Sequence, residues 1–410
     1  METRPGKPAT ENRIGKALRE AEARPGFLSL INTNFHECGL APEASAITIA
    51  ATDFLHDPTR RAYRPDPAGL PSLREAVARF VGRNGRTVEP SSVIVTASAS
   101  ESYRHLFTAL CAPGDTVLLP CPGYPLFEEI AARCGLDPRF YRLHFESEWQ
   151  IDPDEISSLM TTDTAALVLI SPHNPTGAIV DESVLGEISR LCGERGVRLI
   201  VDEVFSEYRY DRRSSTGSLR QGSGSPDAAT FRINGVSKLL ASPDLKVSWI
   251  VLSGPRDSVS DARERLEIEN DLYLSASPIT QFIAARLLDS GARMTHRFVA
   301  QVRRRRDTML GSLAELAERH PGLVSWVEPR GGIHLPLVFT RPPGDRDDEQ
   351  IAVDLLERQG LSVHPGYLYG EDERTVVVLS YLAPPETIRE GVSRIDAYLS
   401  SPDTMRAARR

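Results

Sequence analysis

Between about residue 72 and residue 252 the chain alternates short apolar runs with longer stretches in which apolar residues recur every three or four positions. The runs at 93–96, 116–120, 166–171, 197–201, 230–233 and 247–252 are short and almost uniformly apolar, and read as strands buried on both faces. The stretches 101–111, 126–134 and 182–195 carry the helical period. Strands alternating with helices predict a mostly parallel sheet with helices on both faces, an α/β fold. Ligands of such sheets bind outside the carboxyl ends of the strands, so chemistry is expected in the residues that follow each run.

The pattern changes in the second half. Residues 256–319 read as long, charged helices; a strand pattern at 324–327, the pair Gly331-Gly332 and alternating short strands and helices follow to about residue 400. This predicts a large α/β domain at 45–275 and a smaller α+β domain made of 1–44 with 276–410, the last ten residues reading as a frayed tail. A chain of 410 residues suits two domains better than one core.

Composition narrows the partners. Hydrophobic residues at 40% and charged residues at 25% are ordinary for a globular chain, and a net charge of −8 argues against a nucleic-acid surface. The basic run Arg303 to Arg306 reads as the solvated face of a long helix. Residues 1–12 are polar and lack the apolar core of a signal peptide, and no apolar stretch is long enough to span a membrane. Cys38, Cys111, Cys121, Cys134 and Cys192 show no paired spacing, so neither a disulfide framework nor a metal site is expected, and the chain reads as cytoplasmic. Lysine stands only at Lys7, Lys16, Lys238 and Lys246, the first two in a flexible lead-in. Chemistry that needs a side-chain primary amine has few places to be.

Three segments at strand ends hold candidate chemistry. Ser171-Pro172-His173-Asn174-Pro175-Thr176-Gly177 is by itself a turn. Val201-Asp202-Glu203-Val204-Phe205 offers acids that commonly cap helices or pair with bases, and Asn234-Gly235-Val236-Ser237-Lys238 offers a lysine of the kind usually found on surfaces. Together they present an amide, a carboxylate and an amine at three successive strand ends. The spacings of 28 residues (174 to 202) and 36 (202 to 238) leave room for the intervening elements.

With Tyr63, Gly69, Leu73-Arg74, Thr96 to Glu101 and Pro122-Gly123-Tyr124-Pro125, these segments resemble the fold-type-I pyridoxal-phosphate enzymes, specifically aminotransferase class I/II, over roughly residues 27–400. The resemblance implies a large domain with a mostly parallel seven-stranded sheet beside a smaller α+β domain. It implies pyridoxal 5'-phosphate as cofactor, an amino acid as substrate, and a homodimer with shared active sites, without nucleic acid or membrane. By resemblance, Lys238 carries the cofactor as a Schiff base and then moves the proton from the substrate Cα, forming a quinonoid. Asp202 pairs with the pyridine nitrogen, Asn174 with the phenolic oxygen, and Tyr124 stacks on the ring. The amides of Ala99 and Ser100, the hydroxyls of Ser98, Ser100 and Ser237, and Lys246 hold the phosphate, with Tyr63 reaching it from the partner subunit.

Three positions depart from the family pattern. Lys246 stands where an arginine is usual, and supplies charge without a bidentate fork. Phe205 stands where a tyrosine usually donates to the phenolic oxygen, a role that Tyr208 could take instead. Val378, in the Val376 to Tyr381 segment, takes the place of the arginine that holds the substrate carboxylate; Arg374 is out of register and reads as a surface turn residue. Asn34 and His36 fall where the family's N-terminal segment lines the substrate pocket, and His173 and His334 are further candidates. The leading expectation is transamination. The alternative is β- or γ-elimination, cyclisation or carbon–carbon bond formation on a substrate such as S-adenosylmethionine, as in relatives resembling aminocyclopropane-carboxylate synthase. A regulatory, non-catalytic module fits less well, since lysine, aspartate and asparagine are all retained.

Overall fold

The computed structural model describes residues 13–83, 87–210, 227–274 and 276–401. The lead-in 1–12, with Lys7, and the tail from residue 402 lie outside the described residues. Lys16 belongs to a helix, Arg13–Glu22. The chain divides into two compact units. The larger is Asn34–Arg304 with Val327–His334, and the smaller is Met1–Thr33, Arg305–Trp326 and Leu335–Arg410.

The large unit is built on seven strands: β1 (Val93–Thr96), β2 (Thr116–Cys121), β3 (Asp137–Arg142), β4 (Thr164–Ile170), β5 (Arg198–Asp202), β6 (Thr230–Gly235) and β7 (Ser248–Ser253). They lie in the order β1-β7-β6-β5-β4-β2-β3, with β7 antiparallel to both neighbours and the other pairs parallel. Successive residues of a strand face opposite sides, so each buried run feeds two cores. Ala166, Val168 and Ile170 pack beneath the helices Ala99–Leu110 and Arg256–Tyr273, while Leu167 and Leu169 pack with the helix Glu182–Arg195 on the other face. The strand that no apolar run announced is β3. It lies at the sheet edge, carries Pro138, Arg139 and Arg142, and has Tyr141 as its buried residue.

In the small unit Leu28–Ser29 pairs in parallel with Leu361–Ser362. A four-stranded sheet runs in the order His364–Pro365, Val376–Ser380, His334–Phe339, Val324–Ser325. Arg394 ties the N-terminal segment down, with Nη1 donating to the carbonyls of Gly26 (2.7 Å), Gln359 (3.0 Å) and Gly360 (3.2 Å). The arginine run behaves differently from its reading as one solvated face. Arg303 and Arg304 are exposed, whereas Arg305 and Arg306 are buried, and Arg305 donates to the Leu382 carbonyl. Consecutive residues on a helix are turned by about 100°, so four in a row cannot share one face.

The loop after β4 returns tightly at Gly177. Its φ is +70°, its N–H donates to the His173 carbonyl (2.8 Å), and its own carbonyl accepts from Gly331 (2.9 Å). A Cβ there would stand 2.4 Å from Pro329 Cβ and 2.8 Å from the Gly331 carbonyl oxygen. Gly177→Ala combines left-handed strain with a backbone clash, and should lower unfolding stability by about 3 kcal/mol. A urea midpoint indistinguishable from that of the unaltered protein would contradict this account of the loop.

Candidate active site

Asp202 is the last residue of β5, in register with Ile170 of β4 and Ile233 of β6. The ladder continues to the rim: Ser171 N–H donates to the Asp202 carbonyl (3.0 Å) and Glu203 N–H to the Ile233 carbonyl (2.9 Å). The turn holding Asn174 and the short helix Val236–Leu239 holding Ser237 and Lys238 therefore leave the sheet on either side of Asp202. Parallel strands lie about 4.8 Å apart, so three consecutive strand ends bring these groups to one edge.

The Asp202 carboxylate is buried. One oxygen accepts the Val204 N–H (3.0 Å) and the other the Tyr103 hydroxyl (3.0 Å). Burial pushes its pKa up to about 6; the two hydrogen bonds pull it down, and the charge of Glu203 adds to the rise. Glu203 itself is paired with Arg232. No Lys, Arg or His forms an ion pair with Asp202 among the described residues.

Lys238 is half-buried. Burial lowers its pKa, and its amine makes no hydrogen bond or ion pair among the described residues. Nζ lies 5.5 Å from the Phe35 ring centre. Phe35 stands edge-on to Tyr208 (5.9 Å), Tyr208 edge-on to Phe205 (6.2 Å), and Phe205 edge-on to His334 (6.5 Å). The Tyr208 hydroxyl donates to the Lys238 carbonyl (2.8 Å), so its proton is used to anchor the lysine backbone. Phe205 is buried and brings no donor.

The buried Oδ1 of Asn174 has no partner. Beside it, His173 Nδ1 meets Thr176 Oγ1 at 2.9 Å, and burial drives this ring down to about 3, leaving it neutral. The helix Ala99–Leu110 opens on Ser98, whose Oγ accepts the Glu101 N–H (3.1 Å), while Glu101 accepts from Ala97 N–H. The amides of Ala99 and Ser100 in that first turn have no acceptor among the described residues. They form an anion cradle at a positive helix end.

The other predicted residues divide. Tyr124 follows β2, is partly exposed and packs edge-on to Phe127 (5.3 Å); burial, then the charge of Asp202, raises its pKa. Ser237 is half-buried beside Lys238, and Lys246 is exposed with φ at +51°. Tyr63 is 65% exposed. Asn34 closes its own turn, with Oδ1 accepting from His36 N–H (3.1 Å) and Nδ2 donating to Glu37 (2.9 Å). His36 Nε2 donates to the Ala241 carbonyl (2.8 Å), three residues beyond Lys238. Val378 is buried and apolar. Two residues escaped the sequence reading. Phe35 stands between the two polar candidates of its segment, and Tyr103 lies inside an apolar helical pattern, where a buried hydroxyl was the signal that a partner had to exist.

Residues 37–395 match the model of the family described as aminotransferase class I and II. The chain belongs to that family. It is 28% identical over 371 residues to an aspartate aminotransferase of Streptomyces avermitilis, covering 88% of this chain and 86% of that one. It is 27% identical to a bifunctional aspartate aminotransferase and glutamate/aspartate-prephenate aminotransferase of Petunia hybrida, covering 81% and 69%. Its fold superposes on an alanine aminotransferase of Pyrococcus furiosus with a TM-score of 0.84 at 26% identity, covering 94% of this chain and 95% of that one. Members of the family use pyridoxal phosphate. Among the described residues the groups fit it: a buried carboxylate without a cation, a half-buried amine without an acid, an amide whose oxygen lacks a partner, and helix-end amides without an acceptor. Among the described residues no helix is long and apolar enough to cross a membrane, and no group of three His, Cys, Asp or Glu could hold a metal.

Without a cation, ionising Asp202 costs stability. Its folded pKa of about 6 exceeds the ordinary 3.8, so the folded state binds the extra proton and stability falls as pH rises from about 4 to about 6. Asp202→Asn should then make the cofactor-free protein more stable at pH 7, by about 2–3 kcal/mol, and change little at pH 4. Thermal melts of the two proteins at both pH values check this. Equal melting at pH 7 would show that Asp202 is not desolvated.

Proposed function

We propose that this chain transfers an amino group from an amino acid to a keto acid, with Lys238 as its catalytic base. The observation that carries the reading is the pair of desolvated, mutually unpaired groups, Asp202 and Lys238, on neighbouring strand ends. Family membership favours this over elimination or cyclisation. When bound, pyridoxal phosphate supplies an electron sink for the bond broken at the substrate Cα. Burial keeps a larger share of Lys238 neutral, and the neutral amine is both the nucleophile that attaches an aldehyde and the base that takes a proton from Cα. Asp202 would hold a proton on the ring nitrogen, and Asn174 would donate to the phenolic oxygen. Tyr124 would cover the ring face and exclude water.

Ala99 and Ser100 amides, the hydroxyls of Ser98 and Ser237, and Lys246 would hold the phosphate. We assign Tyr63 to the phosphate of a second copy, and read the protein as a homodimer. The exposure of Tyr63 in one chain supports this, as do the exposed apolar side chains Ile268, Leu272, Tyr273 and Leu274. His36, tethered beyond Lys238, and Asn34 belong to the substrate side in this reading. Val378 is buried and apolar, so the position where the family carries its carboxylate-binding arginine supplies no charge here. We place the protein in the cytoplasm, a compartment that keeps thiols such as these five cysteines reduced.

Two measurements test the assignment. Amino acids added singly to the yellow holoprotein should convert the cofactor to its amine form, and a keto acid should restore the colour. Borohydride reduction followed by peptide mapping should place the cofactor on Lys238, and Lys238→Ala should show no yellow form and a loss of turnover of at least about a thousand-fold. A tag on Lys246, or unimpaired turnover without Lys238, would refute the proposal.

A further inference from the structure

We propose that Tyr103 is a positioning residue for Asp202, its hydroxyl holding the carboxylate ionised and turned toward the ring nitrogen of the cofactor. This rests on the reading of Asp202 given above. Tyr103 lies within the helix Ala99–Leu110, is 1% exposed, and packs its ring against Phe127 (4.5 Å) and Phe107 (5.9 Å). A phenylalanine would make the same ring contacts without burying a hydroxyl, so packing alone does not call for tyrosine. The hydroxyl finds its acceptor in Asp202 Oδ2 at 3.0 Å, while Val204 N–H holds Oδ1 at 3.0 Å. With one donor on each oxygen the carboxylate cannot rotate freely, and each oxygen keeps a lone pair for a further bond.

The helix explains why this matters. Ala99, whose amide is free for the phosphate, and Tyr103 are four residues apart and so share one helix face. One rigid element thus carries a donor for the phosphate end of the cofactor and the tether for the group that meets its ring nitrogen. The distance between the two ends is set by helix geometry rather than by two independent loops.

The titratable groups facing Asp202 are few. From the helix comes Tyr103; from the segment after β2 comes Tyr124; directly after its own strand stands Glu203, paired with Arg232 of β6. Burial, then the charge of Asp202, raises Tyr103 well above the ordinary phenol range, so it remains a protonated donor throughout the working pH range. Removing the hydroxyl takes away one of the two hydrogen bonds that oppose the effect of burial on Asp202.

The test is the dissociation constant of pyridoxal phosphate, measured from pH 5 to 9 by fluorescence titration, for the unaltered protein, Tyr103→Phe, Asp202→Asn and the double variant. Titrations of the free cofactor are common to all four and cancel. Tyr103→Phe should weaken binding about ten-fold at pH 7. It should also move the acid limb of the affinity profile to higher pH, because Asp202 then takes its proton sooner. In the Asp202→Asn background the same change should matter less than about two-fold. If Asp202→Asn abolishes the acid limb and Tyr103→Phe leaves it in place, the proposal for Tyr103 is wrong and the reading of Asp202 stands. If Asp202→Asn itself changes neither affinity nor limb, both are overturned. A circular-dichroism spectrum and melt of Tyr103→Phe matching those of the unaltered protein confirm that a folded protein was measured.

Discussion

A carboxylate taken out of water, with no cation to meet it among the described residues, is the constraint around which the large unit is organised. Asp202 ends a strand buried on both faces, so solvent cannot reach it, and Arg232 of the adjacent strand is paired with Glu203. The two acids are neighbours in sequence, yet a strand turns them to opposite faces and gives them different fates. Glu203 is neutralised within the protein. Asp202 is held by two donors and left with its charge uncompensated, which costs the cofactor-free protein stability and favours a cationic ring placed against it. Lys238, one strand away, shows the converse: an amine made easier to deprotonate by burial, without an acid to hold its proton among the described residues.

Much of this could be read from the chain before any coordinates. Strands buried on both faces leave unbroken apolar runs, so the central strands were legible, and the edge strand β3, with its proline and arginines, was not. Lys238 was legible because lysine is scarce and because it follows a strand end. Asn174 and Asp202 became candidates together only through their common place at the rim. Tyr103 stayed hidden because a tyrosine in an apolar helical pattern looks like packing, and its partner lies 99 residues away. The reading of Arg303 to Arg306 as one solvated face failed for a local reason, the 100° step of the helix.

The departures from the family pattern now have surroundings. Phe205 leaves the aromatic collar around Lys238 without a hydroxyl aimed outward, and Tyr208 does not replace it because its proton serves the Lys238 backbone. Asn174, whose buried oxygen has no partner among the described residues, would donate there through Nδ2. The cofactor's phenolic oxygen would therefore be held by one side-chain donor instead of two. If Lys246 holds the phosphate as proposed, a lysine in place of arginine would change the grip in the same direction, toward point charge and away from a fixed fork.

The account stands or falls on whether Asp202 meets the ring nitrogen of the cofactor. Protein loaded with pyridoxal phosphate carrying nitrogen-15 in the ring reports this directly by nuclear magnetic resonance. The predicted spectrum shows a protonated ring nitrogen at neutral pH, and loss of that proton in Asp202→Asn. An unprotonated nitrogen in the unaltered protein, or a protonated one that survives Asp202→Asn, would contradict it.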